Sequence, residues 1–240
     1  METIDPCLLL GRTRLRLTPH PGQLLLIELL LLMKKGCIAV TSPAAAEVEF
    51  VEHTRDPKTG LLYHAWSYDR KVEWADKETG CSPEFWGRAM GWVPVALLDE
   101  LDFIPADHPD RAKLEKMAVD LLKSLLAFQS EDGRWYQVVN RGDDPANWLE
   151  NSCSCLYVAA LCKAIRKGLL DASYLEYARK GYEGVIRSLT WEGDDLIIGN
   201  VCIGTGVGDY DHYIHRPVSA NDLHGVGAFL LMCEECEQVF

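Results

Sequence analysis

The chain has 240 residues, 48% of them hydrophobic, and a formal net charge of -12. That length and apolar fraction suffice for a sizeable core in one large domain or two small ones. The acidic balance argues against partners held by phosphate neutralisation, so no nucleic-acid partner is expected.

Taken in chain order, the first feature is an apolar run from Leu24 to Met33, broken by Glu28. It falls short of the roughly twenty residues a bilayer crossing needs, so no membrane association is expected. Pro6, Pro19 and Pro21 precede the run and Lys34-Lys35 follow it. A secretory signal has the opposite order, basic residues before and small ones after, which points to a cytoplasmic location. Residues 1–42 match none of the patterns that follow and are expected to form an unmatched, poorly packed segment, apart from a helical domain over residues 43–240.

From about residue 43 helix-like stretches alternate with short aromatic or β-branched stretches announced by an acidic residue and glycine. Asp56-Pro57-Lys58-Thr59-Gly60 precedes Leu61 to Trp66; Glu131-Asp132-Gly133 precedes Arg134 to Val139; Gly193-Asp194-Asp195 precedes Leu196 to Val201. After each comes a polar linker and a helix rich in small residues, read as Ser82 to Leu101, Asn147 to Ile165 and Ala220 to Glu237. Between these units lie Arg111 to Phe128 and Ala172 to Leu189, with apolar residues at three- and four-residue spacing and charges elsewhere. The first set suits a packed inner layer and the second an outer layer with one wet face. Ser82 before Pro83, and Asp110 and Asp171, are the expected caps of three of these helices, with Asn221 or Ser219 for the last. Hairpins repeated in this way curl into a solenoid or a closed ring of helices.

Nine cysteines, most of them single within apolar patterns, read as free buried thiols. The pairs Cys153/Cys155 and Cys233/Cys236 raise a four-thiolate zinc site, but they sit in helix-like text without glycine-rich knuckles. No metal or cofactor is expected.

Aromatics crowd the linkers at one end of the repeat: Trp66, Trp74, Trp86, Trp92, Trp135, Tyr136 and Trp148. Their faces suit the C–H surfaces of sugar rings, or they fill a large core. Arg88 lies at the start of a helix that otherwise reads as buried and therefore needs a partner. That partner is either a ligand carboxylate or an internal one, Glu84 or Glu150. His64, on a short strand, offers a hydrogen bond to the same region. Asp222, at the start of the last helix, is explained by capping.

The stretch Thr59-Gly60-Leu61-Leu62-Tyr63-His64-Ala65-Trp66, followed by Trp74 to Trp92 with its Phe85-Trp86-Gly87-Arg88-Ala89-Met90-Gly91-Trp92, resembles the unsaturated rhamnogalacturonyl hydrolases of glycoside hydrolase family 105. So do Asp144 to Ser152, Cys202 to Gly206 and Asn221 to Gly225, in order and spacing, over about residues 50 to 240. The resemblance implies an all-α fold, the α/α toroid of six helix hairpins, present here as a partial ring. It implies an unsaturated uronyl oligosaccharide as ligand and hydration of its C4=C5 double bond by an aspartate acting as general acid and base, unlike the paired carboxylates of ordinary glycosidases. His64, Trp86, Arg88 and Trp92 fall on the family's substrate-cleft positions. No segment in residues 1 to 55 matches the stretch that carries the family's catalytic aspartate, so the catalytic residue is unassigned and the chain is expected to be truncated and inactive alone. The alternative is a non-catalytic carbohydrate-binding or scaffold protein on the same fold.

Overall fold

The computed structural model describes residues 43–240, so the reading of residues 1–42 lies outside the described residues. Seven α-helices are described: α1 (Pro43–Thr54), α2 (Gly87–Glu100), α3 (Arg111–Leu126), α4 (Asn151–Arg166), α5 (Leu175–Ser188), α6 (Tyr210–Ile214) and α7 (Leu223–Glu237). Three two-stranded antiparallel ribbons accompany them. These pair β1 (Trp135–Tyr136) with β2 (Leu149–Glu150), β3 (Thr190–Glu192) with β4 (Asp195–Ile197), and β5 (Val201–Cys202) with β6 (Val218–Ser219).

Helix α4 is the centre of the arrangement, packing against α2 on one side and α7 on the other, while α3 and α5 lie outside against α2 and α4. Its sequence explains the position. Every residue from Asn151 to Cys162 is buried, and its two cations, Lys163 and Arg166, fall in the last turn. Small residues let the helices approach. A Cβ on Gly91 would stand 2.9 Å from Leu156 Cβ, and one on Gly181 would stand 2.5 Å from a methyl of Val158. The outer helices bury one stripe each: Leu114, Met117, Ala118, Leu121, Leu122 and Leu125 on α3, and Ala178, Gly181, Gly184 and Val185 on α5. This is the inner and outer division that the sequence spacing predicts.

Charged pairs tie the far ends of the inner helices together. The Arg166 guanidinium grips Glu235 of α7 with bonds of 2.8 to 3.0 Å. Lys163 reaches Asp99 at 2.5 Å and Asp102 at 2.9 Å, and Lys167 bonds Asp102, at the end of α2. The sulfurs of Cys162 and Cys236 lie 3.8 Å apart between α4 and α7. All seven described cysteines are buried free thiols. Cys153 and Cys155, two apart on α4, cannot share one helix face. Among the described residues no three metal-ligating side chains come together. No described helix is long and apolar enough to cross a membrane.

Helix starts and caps differ from the sequence reading at several places; α4 opens at Asn151 and α7 at Leu223, not at Asn147 and Ala220. Helix α2 begins at Gly87, because Phe85 and Trp86 are drawn into extended pairing: Val139 N–H donates to Phe85 O, Gly87 N–H donates to Gln137 O, and Trp86 bridges Val138. Ser82 therefore caps nothing, and its hydroxyl accepts the Ala65 N–H at 3.0 Å. Asp110 has helical backbone angles and makes no capping bond, while Asp171 caps the 3-10 turn Ala172–Tyr174 that precedes α5. The segment Leu196 to Val201 divides into β4 and β5, since Asn200 turns the chain at φ +52°. The segment Leu61 to Trp66 makes only the isolated bridges Arg55–Leu62 and Trp66–Cys81.

At α7 the cap is Asp222, whose carboxylate accepts His224 N–H at 2.9 Å. Asp222→Ala is expected to cost about 1 kcal/mol, measured as a lowered urea midpoint at unchanged slope; an unmoved midpoint would show that the cap carries no weight.

Candidate active-site cleft

The extended linkers converge where α2, β5 and α6 meet. Trp86, Val138, Cys202 and Tyr213 form a small buried cluster of their own, edged by Ala89, Trp148 and Tyr210. Gln137 is its scaffold. Fully buried, its amide oxygen accepts the Trp86 indole N–H at 3.1 Å, and its amide nitrogen lies 3.0 Å from Cys202 Sγ and 3.3 Å from the Tyr213 carbonyl. One side chain thus fixes three segments distant in sequence.

His64 stands against this cluster, half-buried, its ring 4.7 Å from that of Trp86 and 5.7 Å from that of Tyr213. Its Nδ1 lies 2.5 Å from the Tyr213 hydroxyl. Burial, then the nearby Arg88 and His212, lower its pKa from 6.5 to about 4, so the imidazole is neutral near pH 7.

Arg88 is 2% exposed, with its guanidinium carbon 4.8 Å above the Trp86 ring. Nη1 donates to the carbonyl of Cys202 at 2.5 Å and to Ser152 Oγ at 3.3 Å, and Nη2 donates to the carbonyl of Ile203 at 3.0 Å. Its ionic partner is Glu150, 3.9 Å from Nη1 and fully buried. Of the two internal partners the sequence left open, Glu150 is the one present. Glu84 pairs instead with Arg141 at 3.3 Å, and burial raises its carboxyl pKa against the opposing effect of that arginine. Five N–H groups belong to a guanidinium. Three are used by the described residues, which leaves two without a partner among them.

Trp92 lies apart from this group. One turn beyond Arg88 on α2, it is half-buried against the main core. The other linker aromatics divide similarly. Trp135 is fully buried, its indole N–H donating to Leu125 O at 2.8 Å, and Trp66 stacks on His53 at 3.8 Å. These two serve packing. Gln137 and Tyr213 were not singled out in the sequence. For Tyr213 a signal exists: Asp209 caps the short helix α6 by accepting His212 N–H at 2.9 Å, a pattern of aspartate before a polar-aromatic turn.

An inner layer of helices, an outer layer, and an aromatic and cationic cluster at the inner helix starts make up an all-α fold, the α/α toroid, of which the described residues form part. A family model for Glycosyl Hydrolase Family 88 matches residues 44–240. The chain belongs to that family.

A structure of a family 105 glycoside hydrolase from C. acetobutylicum ATCC 824 superposes with a TM-score of 0.78 at 36% identity, over 81% of this chain and 57% of that one. The "24.9 kDa protein in picA locus" of Rhizobium radiobacter is 30% identical over 191 residues, 73% of this chain and 82% of the relative. The "Unsaturated rhamnogalacturonyl hydrolase YesR" of Bacillus subtilis is 31% identical over 153 residues, 64% of this chain but 39% of the relative. The chain thus spans 57% of that solved structure and a smaller share of YesR, against most of the Rhizobium protein.

Proposed function

We propose that the cleft binds the unsaturated uronyl end of a rhamnogalacturonan oligosaccharide, as part of a glycoside hydrolase acting by hydration of the C4=C5 double bond. The observation that carries this reading is the convergence of His64, Trp86 and Arg88 at the starts of the inner helices. Trp86 and its neighbours supply an apolar wall for a sugar ring. Arg88 supplies a fixed cation whose two remaining N–H groups suit a uronate carboxylate, and His64 a neutral polar group; Trp92 extends the same helix face.

Chemistry requires more than this. Hydrating the double bond needs a proton donor near its working pKa, and general acid–base catalysis is typically worth about a hundred- to ten-thousand-fold. Among the described residues the carboxylates beside the cleft are committed elsewhere. Glu150 is fully buried and accepts N–H groups of Cys153 and Cys202, and Glu84 is tied to Arg141. His64 is neutral, with one nitrogen occupied by Tyr213. That commitment favours binding without turnover, and the catalytic residue stays unassigned.

The expected result is that the chain binds an unsaturated galacturonyl-rhamnose disaccharide weakly and does not consume it, followed by calorimetric titration and by the ultraviolet absorbance of the double bond. Turnover at the rate of a full-length family member, abolished in His64→Ala, would overturn the assignment of His64 as a binding group. No binding at all would overturn the reading of the cleft.

A further inference from the structure

The geometry points to Tyr213 as a positioning residue that locks His64 in the Nε2–H tautomer, so that the histidine presents a hydrogen-bond donor, not a base, to the cleft. The ligand side of this inference, a sugar oxygen as acceptor, rests on the function proposed above. The tautomer itself does not.

Tyr213 is fully buried on α6, with its hydroxyl 2.5 Å from His64 Nδ1. The same oxygen lies 3.3 Å from the Gly208 backbone nitrogen. An amide N–H can only donate, so Gly208 occupies a lone pair of the phenol oxygen. One phenol proton and one Nδ1 position then remain to be reconciled. If Nδ1 carried a proton, it would donate to the Tyr213 oxygen, and the phenol proton would need another acceptor. Among the described residues the hydroxyl has no other hydrogen-bond partner, and the ring that carries it is sealed from solvent. The arrangement that leaves no buried proton unpaired has Tyr213 donating to a bare Nδ1. The neutral ring's proton then sits on Nε2.

The surroundings agree from every side. Arg88 lies beyond Trp86 and opposes a second positive charge. His212, on α6 beside Tyr213, has its Nε2 2.8 Å from Thr205 Oγ1. The Glu84 carbonyl accepts the backbone N–H of His64 at 3.2 Å, but its carboxylate turns to Arg141, so no carboxylate partner for the imidazole is present among the described residues. Tyr213 itself holds its proton firmly, since burial raises its pKa to about 12. Nε2 has no hydrogen-bond partner among the described residues and is not among the atoms sealed away without one. It is the open end of the pair.

The lock also restrains His64 in space. A ring held at Nδ1 and leaning on Trp86 has its Nε2–H direction fixed before a ligand arrives, and preorganised donors lose little freedom on binding. The expected preference is for an acceptor oxygen, a hydroxyl, ring or carboxylate oxygen, over a donor-only group at that point.

The test is long-range proton–nitrogen correlation of the histidine rings in the nitrogen-15-labelled chain near pH 7, with His64 assigned by the signals lost in His64→Gln. The native ring is expected to show a protonated Nε2 and a bare Nδ1. In Tyr213→Phe, which removes the hydroxyl and keeps the ring, both tautomers are expected, because nothing then distinguishes Nδ1 from Nε2 as the proton's site. A native spectrum with the proton on Nδ1 would overturn the lock, as would a Tyr213→Phe spectrum identical to the native one. Because the native spectrum is read without ligand, a chain that binds no unsaturated disaccharide would overturn the function proposed above and leave the tautomer result standing.

Discussion

Replacing Glu150 with alanine is expected to destabilise the fold by about 4 kcal/mol, because it leaves the Arg88 guanidinium buried without a counter-charge. Both side chains are almost completely enclosed, at 2% and 0% exposure, so water cannot take the place of the missing partner. The carboxylate does more than balance charge. It accepts the Ser152 hydroxyl at 2.7 Å, the Cys153 N–H at 2.6 Å and the Cys202 N–H at 3.0 Å. It therefore caps α4, holds β5 against that cap, and keeps beside α2 the strand whose Cys202 carbonyl receives Arg88. Urea unfolding measures the effect as a displaced midpoint. Glu150→Gln separates the two contributions, since it retains an acceptor oxygen and loses the charge. If the alanine variant lost less than about 1 kcal/mol, a value ordinary for a cap alone, the ionic role of Glu150 would be refuted.

Acidification should remove about 3 kcal/mol through His64 alone. Its folded pKa of about 4 lies below the ordinary 6.5, so between these values the unfolded chain binds a proton that the native state refuses. The contribution is complete above about pH 6.5, declines as pH falls, and is spent by about pH 4. Carboxylates held low by hydrogen bonds, Asp56 and Asp102 among them, also lose stability in acid. His64→Gln isolates the histidine. The native chain should lose more stability than the variant between about pH 7 and pH 4, and parallel curves would show that the buried imidazole titrates as an ordinary one.

These two expectations draw on different levels of legibility. Arg88 was conspicuous in the sequence as a cation opening an otherwise apolar helix, and its need for a partner followed at once. Choosing between Glu84 and Glu150 did not follow. Glu84 lies four residues before Arg88 in the chain, within one helical turn's spacing, yet α2 starts only at Gly87, so Glu84 is in the extended linker and faces Arg141. His64 was legible as a polar group on a cleft segment. Its Tyr213 partner, 149 residues away, was not, since short-range patterning carries no information about which distant turn will fall beside it.

By itself the sequence determined the helices and their two textures, because periodic burial and charge are local properties that each segment carries regardless of its neighbours. It also determined the family resemblance and the candidate residues of the cleft. The tertiary structure decided which of those residues meet. Arg88 is satisfied by carbonyls 114 and 115 positions further on, and Gln137 joins Trp86 to Cys202 and Tyr213. It likewise decided that Trp135 is core, that Trp92 stands apart from the His64 cluster, and that Ser82 is a loop tie and not a cap. The physical reason is the same throughout: a buried polar group must find a partner wherever the packed chain supplies one, and only packing brings such distant atoms within hydrogen-bond reach.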